Sequence, residues 1–222
     1  MRRRRGKYDS RVQLPLIRPS RRPGGVLAAL GAGAIAVLLL AGCGSSVHYS
    51  GFVRKPAPDV GALSLPDTTQ GLRPLKFVAP AHGLLLVYFG YTMCPDICPT
   101  TLSDLGVALR GLKPNEQKRV EKAVITVDPN RDTATVMTKY VHAFFRDGHA
   151  LRTTDVARLA AVARAFGAAY RVTKAKDGTI EVVHTAFVYA VDNSGRIRLQ
   201  WSFGTKPPAY RADVQKLLSD VR

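Results

Sequence analysis

The chain has 222 residues, with 46% apolar and 22% charged side chains, three cysteines and a formal net charge of +17. Nine bases and one acid, Asp9, fall in the first 42 residues, so +9 remains for the rest. There Lys and Arg are scattered without aromatic interleaving, which excludes a nucleic-acid partner and leaves attraction to anionic lipid or to an acidic protein face.

The amino-terminal quarter is not domain-like. A basic stretch ending at Arg22 precedes the apolar run from Val26 to Leu40 and a few small residues, the pattern of an export signal. The run closes on Leu40-Ala41-Gly42-Cys43, the small-small-Cys form of a bacterial lipoprotein processing site. Residues 1–42 are therefore expected as a lipoprotein signal peptide, Cys43 as the lipidated mature amino terminus, and 43–51 as a tether. An uncleaved transmembrane anchor is the alternative, although the run is short for the ~20 residues of a span. Either way the arginine cluster stays inside and the remainder is extracytoplasmic, at the outer face of the bacterial cytoplasmic membrane.

Residues 52–222 have a normal size for one domain around one core. Leu84–Phe89 is an apolar run bounded by Gly90 and reads as a buried strand. Thr100–Leu112 reads as an amphipathic helix, Val120–Val127 as a second buried strand, and Thr133–Phe145 as a helix with Thr133 as N-cap. Thr154–Phe166 is a further helix closed by Gly167. Thr185–Val191 reads as a third strand, turned by Asp192-Asn193-Ser194-Gly195 into Ile197–Trp201, and Pro208–Leu218 as a closing helix. This order predicts an α/β fold of thioredoxin-like type, a three-layer sandwich with a central mixed β-sheet flanked by helices.

With Cys43 consumed by lipid, Cys94 and Cys98 are the thiols of the mature domain. They sit in the turn from the first strand to the following helix, where a helix amino terminus favours thiolate. Such a pair exchanges disulfides or binds a soft metal. A structural disulfide would close too small a loop to constrain much of the unfolded chain. The spacing is one residue wider than Cys-x-x-Cys, so both sulfurs can point at a third object. Cu(I) prefers thiolate, then imidazole. Of five histidines, His48 falls in the tether and His82 in a loop, while His142 and His149 are expected to be solvated. His184 stands at the mouth of the third strand, beside the place where a thioredoxin-like sheet brings the cysteine turn.

Tyr88-Phe89-Gly90-Tyr91-Thr92-x-Cys94-Pro95-Asp96-x-Cys98-Pro99 resembles the signature of the Sco/SenC family of copper-binding thioredoxin-like proteins. Thr126-Val127-Asp128-Pro129-Asn130-Arg131-Asp132-Thr133 and His184-Thr185-Ala186 agree with it in the family's order. The resemblance implies a copper ion held by Cys94, Cys98 and His184. It implies a chaperone that assists the dinuclear copper A site of cytochrome c oxidase subunit II, by passing copper or by reducing the target cysteines. It names neither a copper donor nor a reductant. A lipid anchor at Cys43 would keep that work at the membrane.

Family members usually carry an acid directly before the histidine, where this chain has Val183. The second imidazole N–H would then go to Glu181, Asp128 or a backbone carbonyl. Asp96 is expected to cap the following helix or tune the thiols, and Asp128 to support the site or anchor its loop with Arg131 and Asp132. Met93 is a weaker ligand candidate, with Tyr91 and Phe89 as wall and core. The alternative activity is a membrane-tethered thiol–disulfide oxidoreductase using Cys94 and Cys98, which should survive loss of His184. A peroxiredoxin-type peroxidase does not fit, because Thr92-Met93-Cys94 lacks the usual peroxidatic setting.

Overall fold

In the computed structural model of the chain, residues 48–221 are described. The expected signal peptide 1–42 and Cys43 lie outside them. Among the described residues no helix is long and apolar enough to cross a membrane.

The body is built on a seven-stranded mixed sheet. In chain order its strands are β1 (Ser64–Asp67), β2 (Arg73–Lys76), β3 (Leu84–Gly90), β4 (Val120–Thr126), β5 (His149–Leu151), β8 (Val188–Val191) and β9 (Ile197–Trp201). They lie side by side as β2-β1-β5-β4-β3-β8-β9, with β3, β4 and β5 parallel and the remaining pairs antiparallel. β6 (Tyr170–Lys174) and β7 (Ile180–His184) form a separate antiparallel hairpin.

All seven residues of β3 are buried, because both of its faces are covered. Leu84, Leu86 and Tyr88 face one core; Leu85, Val87 and Phe89 face the other. This explains why a central parallel strand reads as an unbroken apolar run rather than an alternating one. The first core is roofed by α1 (Ile97–Arg110), α3 (Ala134–Phe144) and α5 (Pro207–Asp220), and the second by α4 (Val156–Phe166). A one-turn helix α2 (Pro114–Gln117) links α1 to β4. The three-layer sandwich with a mixed central sheet is the expected architecture.

The caps follow the local chemistry. The hydroxyl of Thr133 accepts from the N–H of Val136 at the start of α3, and Gly167 ends α4 in the left-handed region at φ 71°. α1 begins at Ile97, three residues earlier than expected. Pro99 falls in its first turn, where a missing N–H costs no intrahelical bond. Of the expected tether 43–51, residues 48–51 are described, and Tyr49, Ser50 and Gly51 lie against α5. The buried Asp213 carboxylate accepts from the backbone N–H groups of Ser50 and Gly51 and from Trp201 Nε1.

Two expectations are corrected. The strand read as Thr185–Val191 begins at Val188, and Thr185 instead bonds to Ala169 through both its backbone N–H and its hydroxyl. His149 is not solvated. It opens β5, and its Nδ1 lies 2.7 Å from the buried Asp67 carboxylate on β1.

Candidate metal centre

The cysteine loop leaves the carboxyl end of β3, the usual place for chemistry on an open α/β sheet. Gly90 ends the strand where no side chain would fit. A Cβ there would stand 2.8 Å from Cε1 of Tyr88 and 3.1 Å from Sγ of Cys98. Thr92 is held by the carboxylate of Asp132, which accepts from its backbone N–H at 3.1 Å and from its hydroxyl at 2.5 Å. Asp132 is fully buried and also accepts from the Thr126 hydroxyl at 2.5 Å. One carboxylate therefore ties the cysteine loop to the end of β4.

Cys94 lies in that loop, half-buried, and Cys98 lies in the first turn of α1, fully buried. Both thiols are free. The backbone N–H of Cys98 donates to Sγ of Cys94 at 3.3 Å, so the sulfur takes the place of a capping oxygen at the helix amino terminus. Asp96 occupies the N-cap position but caps no backbone group; its carboxylate accepts the Thr100 hydroxyl at 3.1 Å.

His184 is the last residue of β7 and reaches across to the thiols, with Nε2 3.4 Å from Sγ of Cys98. Its Nδ1 lies 3.2 Å from the carbonyl oxygen of Thr185. A carbonyl can only accept, so Nδ1 carries the proton and Nε2 presents its lone pair to the sulfurs. The backbone thus orients the ring, a task that an acid at position 183 does not perform here. Val183 is exposed, as the alternation of β7 requires for a neighbour of the inward-facing His184.

The three donor atoms, Sγ of Cys94, Sγ of Cys98 and a ring nitrogen of His184, lie within 4.8 Å of one another. Among the described residues no other group of three His, Cys, Asp or Glu side chains is close enough to hold an ion. Burial holds the His184 imidazole below its ordinary range, keeping it neutral, with the Thr185 carbonyl acting in the opposite sense. Burial, then the hydrogen bond with Cys94, pushes the Cys98 thiol up to about 12. Edges of Tyr88 and Tyr91 pack against the imidazole, with ring centroids at 6.1 and 5.8 Å. A shallow groove of about 310 Å³ opens beside it between β6 and β7, lined by Tyr170, Arg171, Val183 and His184 among others.

The remaining candidates stand farther from the donors. Asp128 is buried at the end of β4 and pairs with Arg131. Met93 is exposed, and Phe89 belongs to the second core, against Phe166 and Tyr189. Of the three partners expected for the second imidazole N–H, it is a backbone carbonyl, that of Thr185, that takes it; the packing of Tyr88 on the ring is not evident from the sequence. The even-numbered positions of β3 share a face, which could have placed Tyr88 beside the first turn of α1.

The sequence pattern of the SCO1/SenC family matches residues 79–219. The chain belongs to the SCO1/SenC family. It is 36% identical over 149 residues to the mitochondrial SCO2 homolog of Danio rerio, covering 64% of this chain and 51% of that protein. It is 36% identical over 115 residues to a SCO2-like protein of Rickettsia prowazekii, covering 51% of this chain and 55% of that one. The chain thus spans about half the length of these curated relatives. Among solved structures, ScoI of Bradyrhizobium japonicum with copper bound shares 29% identity at a TM-score of 0.60, over 70% of this chain and 96% of that one. Apo Sco1 of Thermus thermophilus shares 30% identity at a TM-score of 0.63, over 80% and 98% of the two chains.

Proposed function

We propose that this SCO1/SenC protein is a copper metallochaperone that binds one copper ion through Cys94, Cys98 and His184. One observation carries the reading: two thiol sulfurs and a neutral, pre-oriented imidazole nitrogen converge within 4.8 Å at the rim of a sheet. Two sulfurs and one nitrogen form a soft, low-coordinate set suited to Cu(I), with no carboxylate among them to favour a hard ion. A site on a loop, open to a groove, permits the ligand exchange that delivery needs. A copper-bound relative supports the choice of metal. The recipient in this reading is the dinuclear copper A site of cytochrome c oxidase. Lipidation of Cys43, which would tether the domain outside the cytoplasmic membrane, places the chaperone beside that assembly.

The same sulfurs support a second reading, in which the pair reduces partner disulfides. Its ground is that both thiols are free and within 4.8 Å, one of them facing a helix amino terminus. Copper titration of the reduced chain beginning at Gly44, beside the same chain carrying His184→Ala, separates the two. One ion per chain, weakened by orders of magnitude in the variant while the Cys94–Cys98 couple still oxidises and reduces, is the outcome expected of a chaperone. Equal copper affinity in both chains would remove His184 from the site. Failure of either chain to bind copper, with ready oxidation of the pair, would leave the reductase.

A further inference from the structure

A second built feature lies at the opposite end of the sheet from the thiols. Cys94 and Cys98 follow the last residue of β3, whereas a pocket of about 660 Å³ sits where β4 begins. A seven-residue strand separates the two poles by about 20 Å. The pocket is framed by the carboxyl ends of α1 and α3, by α2 and by Val120. Leu109, Leu112, Phe144 and Phe145 line it, and its bases are Arg110, Lys118, Lys122 and Arg146, against one acid, Asp147.

The balance of charge is positive after every internal partner is counted. Asp147 is taken by Lys122 at 2.6 Å. Among the described residues, Arg110, Lys118 and Arg146 are exposed and make no ion pair. The carboxyl ends of α1 and α3 contribute about half a negative charge each, which leaves the pocket roughly two units positive.

The chain enters the body between the two poles: Ser50 and Gly51 donate to Asp213 in the middle of α5, Phe52 pairs with Gln200 near the end of β9, and the Tyr49 ring lies along α5. The Tyr49 hydroxyl donates to Asp220, the last residue of α5, at 2.8 Å. Arg119, next to the start of β4, donates to the carbonyl of Leu218 in the last turn of α5. Only residues 44–48 separate Cys43 from Tyr49, at most about 20 Å of extended chain. With that reach a lipid on Cys43 would hold the domain at the bilayer surface without choosing between the poles.

We propose that the pocket between the carboxyl ends of α1 and α3 docks on anionic phospholipid. Headgroup phosphates would sit among Arg110, Lys118 and Arg146, and the apolar floor would lie against the glycerol and upper acyl region. Docked in this way, the domain turns Cys94, Cys98 and His184 away from the membrane toward the aqueous side. The choice of this pole rests on the pocket and its charge and not on Cys43 as the anchor.

The test uses the chain beginning at Gly44, which carries no lipid and contains both cores complete within residues 48–221. Its flotation is measured with vesicles of phosphatidylglycerol and phosphatidylcholine and with phosphatidylcholine alone, at low and physiological salt. Binding to the anionic vesicles only, weakening with salt, is expected. Lys118→Glu with Arg146→Glu should weaken it at least tenfold. Lys174→Glu with Lys176→Glu, the same change of charge on the β6–β7 hairpin, should leave it within about twofold. If charge reversal unfolds the chain, Lys118→Ala with Arg146→Ala replaces it, with a smaller loss in the same direction. No binding to anionic vesicles, or an equal loss from both pairs of substitutions, overturns the proposal. Because this chain lacks Cys43, its failure to dock would leave lipid anchoring untouched, and a chain found unlipidated would leave the docking result standing.

Discussion

The carboxylate of Asp132 holds the backbone N–H and the hydroxyl of Thr92, 40 residues away, and so fixes the loop that carries Cys94. Removing it leaves the buried Thr126 hydroxyl and the two half-buried donors of Thr92 without their acceptor, at a cost of about 3 kcal/mol. Asp132→Ala should therefore lower the unfolding free energy by that order in urea. It should also weaken copper binding about tenfold, although it removes no ligand. A destabilised variant with unchanged copper affinity would show that the loop keeps its shape without this carboxylate.

The imidazole of His184 is oriented by the Thr185 carbonyl, and Val183 points outward. Restoring an acid at that position should accordingly do little. Val183→Asp is expected to change copper affinity by less than about threefold, because an exposed carboxylate on the outer face of β7 cannot reach Nδ1. A competition titration against a Cu(I) chelator reads this directly. A gain of tenfold or more would mean that the carbonyl is a poor substitute for a carboxylate.

Copper binding must expel the Cys98 proton, since burial pushes that thiol up to about 12 and only the thiolate is a ligand. Throughout the neutral range the free site therefore holds this proton and the loaded site does not. Apparent copper affinity should rise by at least tenfold per pH unit between pH 6 and 8, with proton release on binding. Affinity independent of pH would place a thiolate at Cys98 before the metal arrives.

Asp67 and His149 join β1 to β5 with opposite shifts. The hydrogen bond it donates to Asp67 holds His149 above its usual range, with burial opposing. Burial would raise the Asp67 carboxyl, but bonds from His149 and Thr69 hold it below its usual range. The histidine's contribution is complete below about pH 6.5 and is lost as pH rises through its folded value. The aspartate's contribution is complete above about pH 3.9 and is lost as pH falls through its own. Stability from this pair should therefore be greatest between roughly pH 4 and 6.5. His149→Gln should remove the decline on the alkaline side in denaturant titrations, and a decline of unchanged size in the variant would assign it to another group.

The central elements were legible because their signals are local. β3 and β4 are apolar runs covered on both faces, the turn Asp192–Gly195 has its own chemistry, and Thr133 and Gly167 cap helices within a few residues. β1, β2 and the β6–β7 hairpin were not read, since their residues are mostly half-buried or exposed and their pairing is set by partners far along the chain. β5 has three residues, too few for any period, and its histidine looks like a solvated one until Asp67 comes from β1 to meet it.

At the site, residue chemistry and family motifs singled out Cys94, Cys98 and His184 from the chain alone. Their distances, the proton on Nδ1 and the raised thiol of Cys98 were decided only by tertiary structure. Those properties depend on how the chain is placed in space: the carbonyl of Thr185, next to His184 in sequence but turned to meet its Nδ1, the Asp132 carboxylate brought under the cysteine loop from 40 residues away, and the core that shuts water away from Cys98. A sequence records which donors exist. Burial and hydrogen-bond geometry, which set their protonation and direction, exist only once the sheet has brought the two loops together.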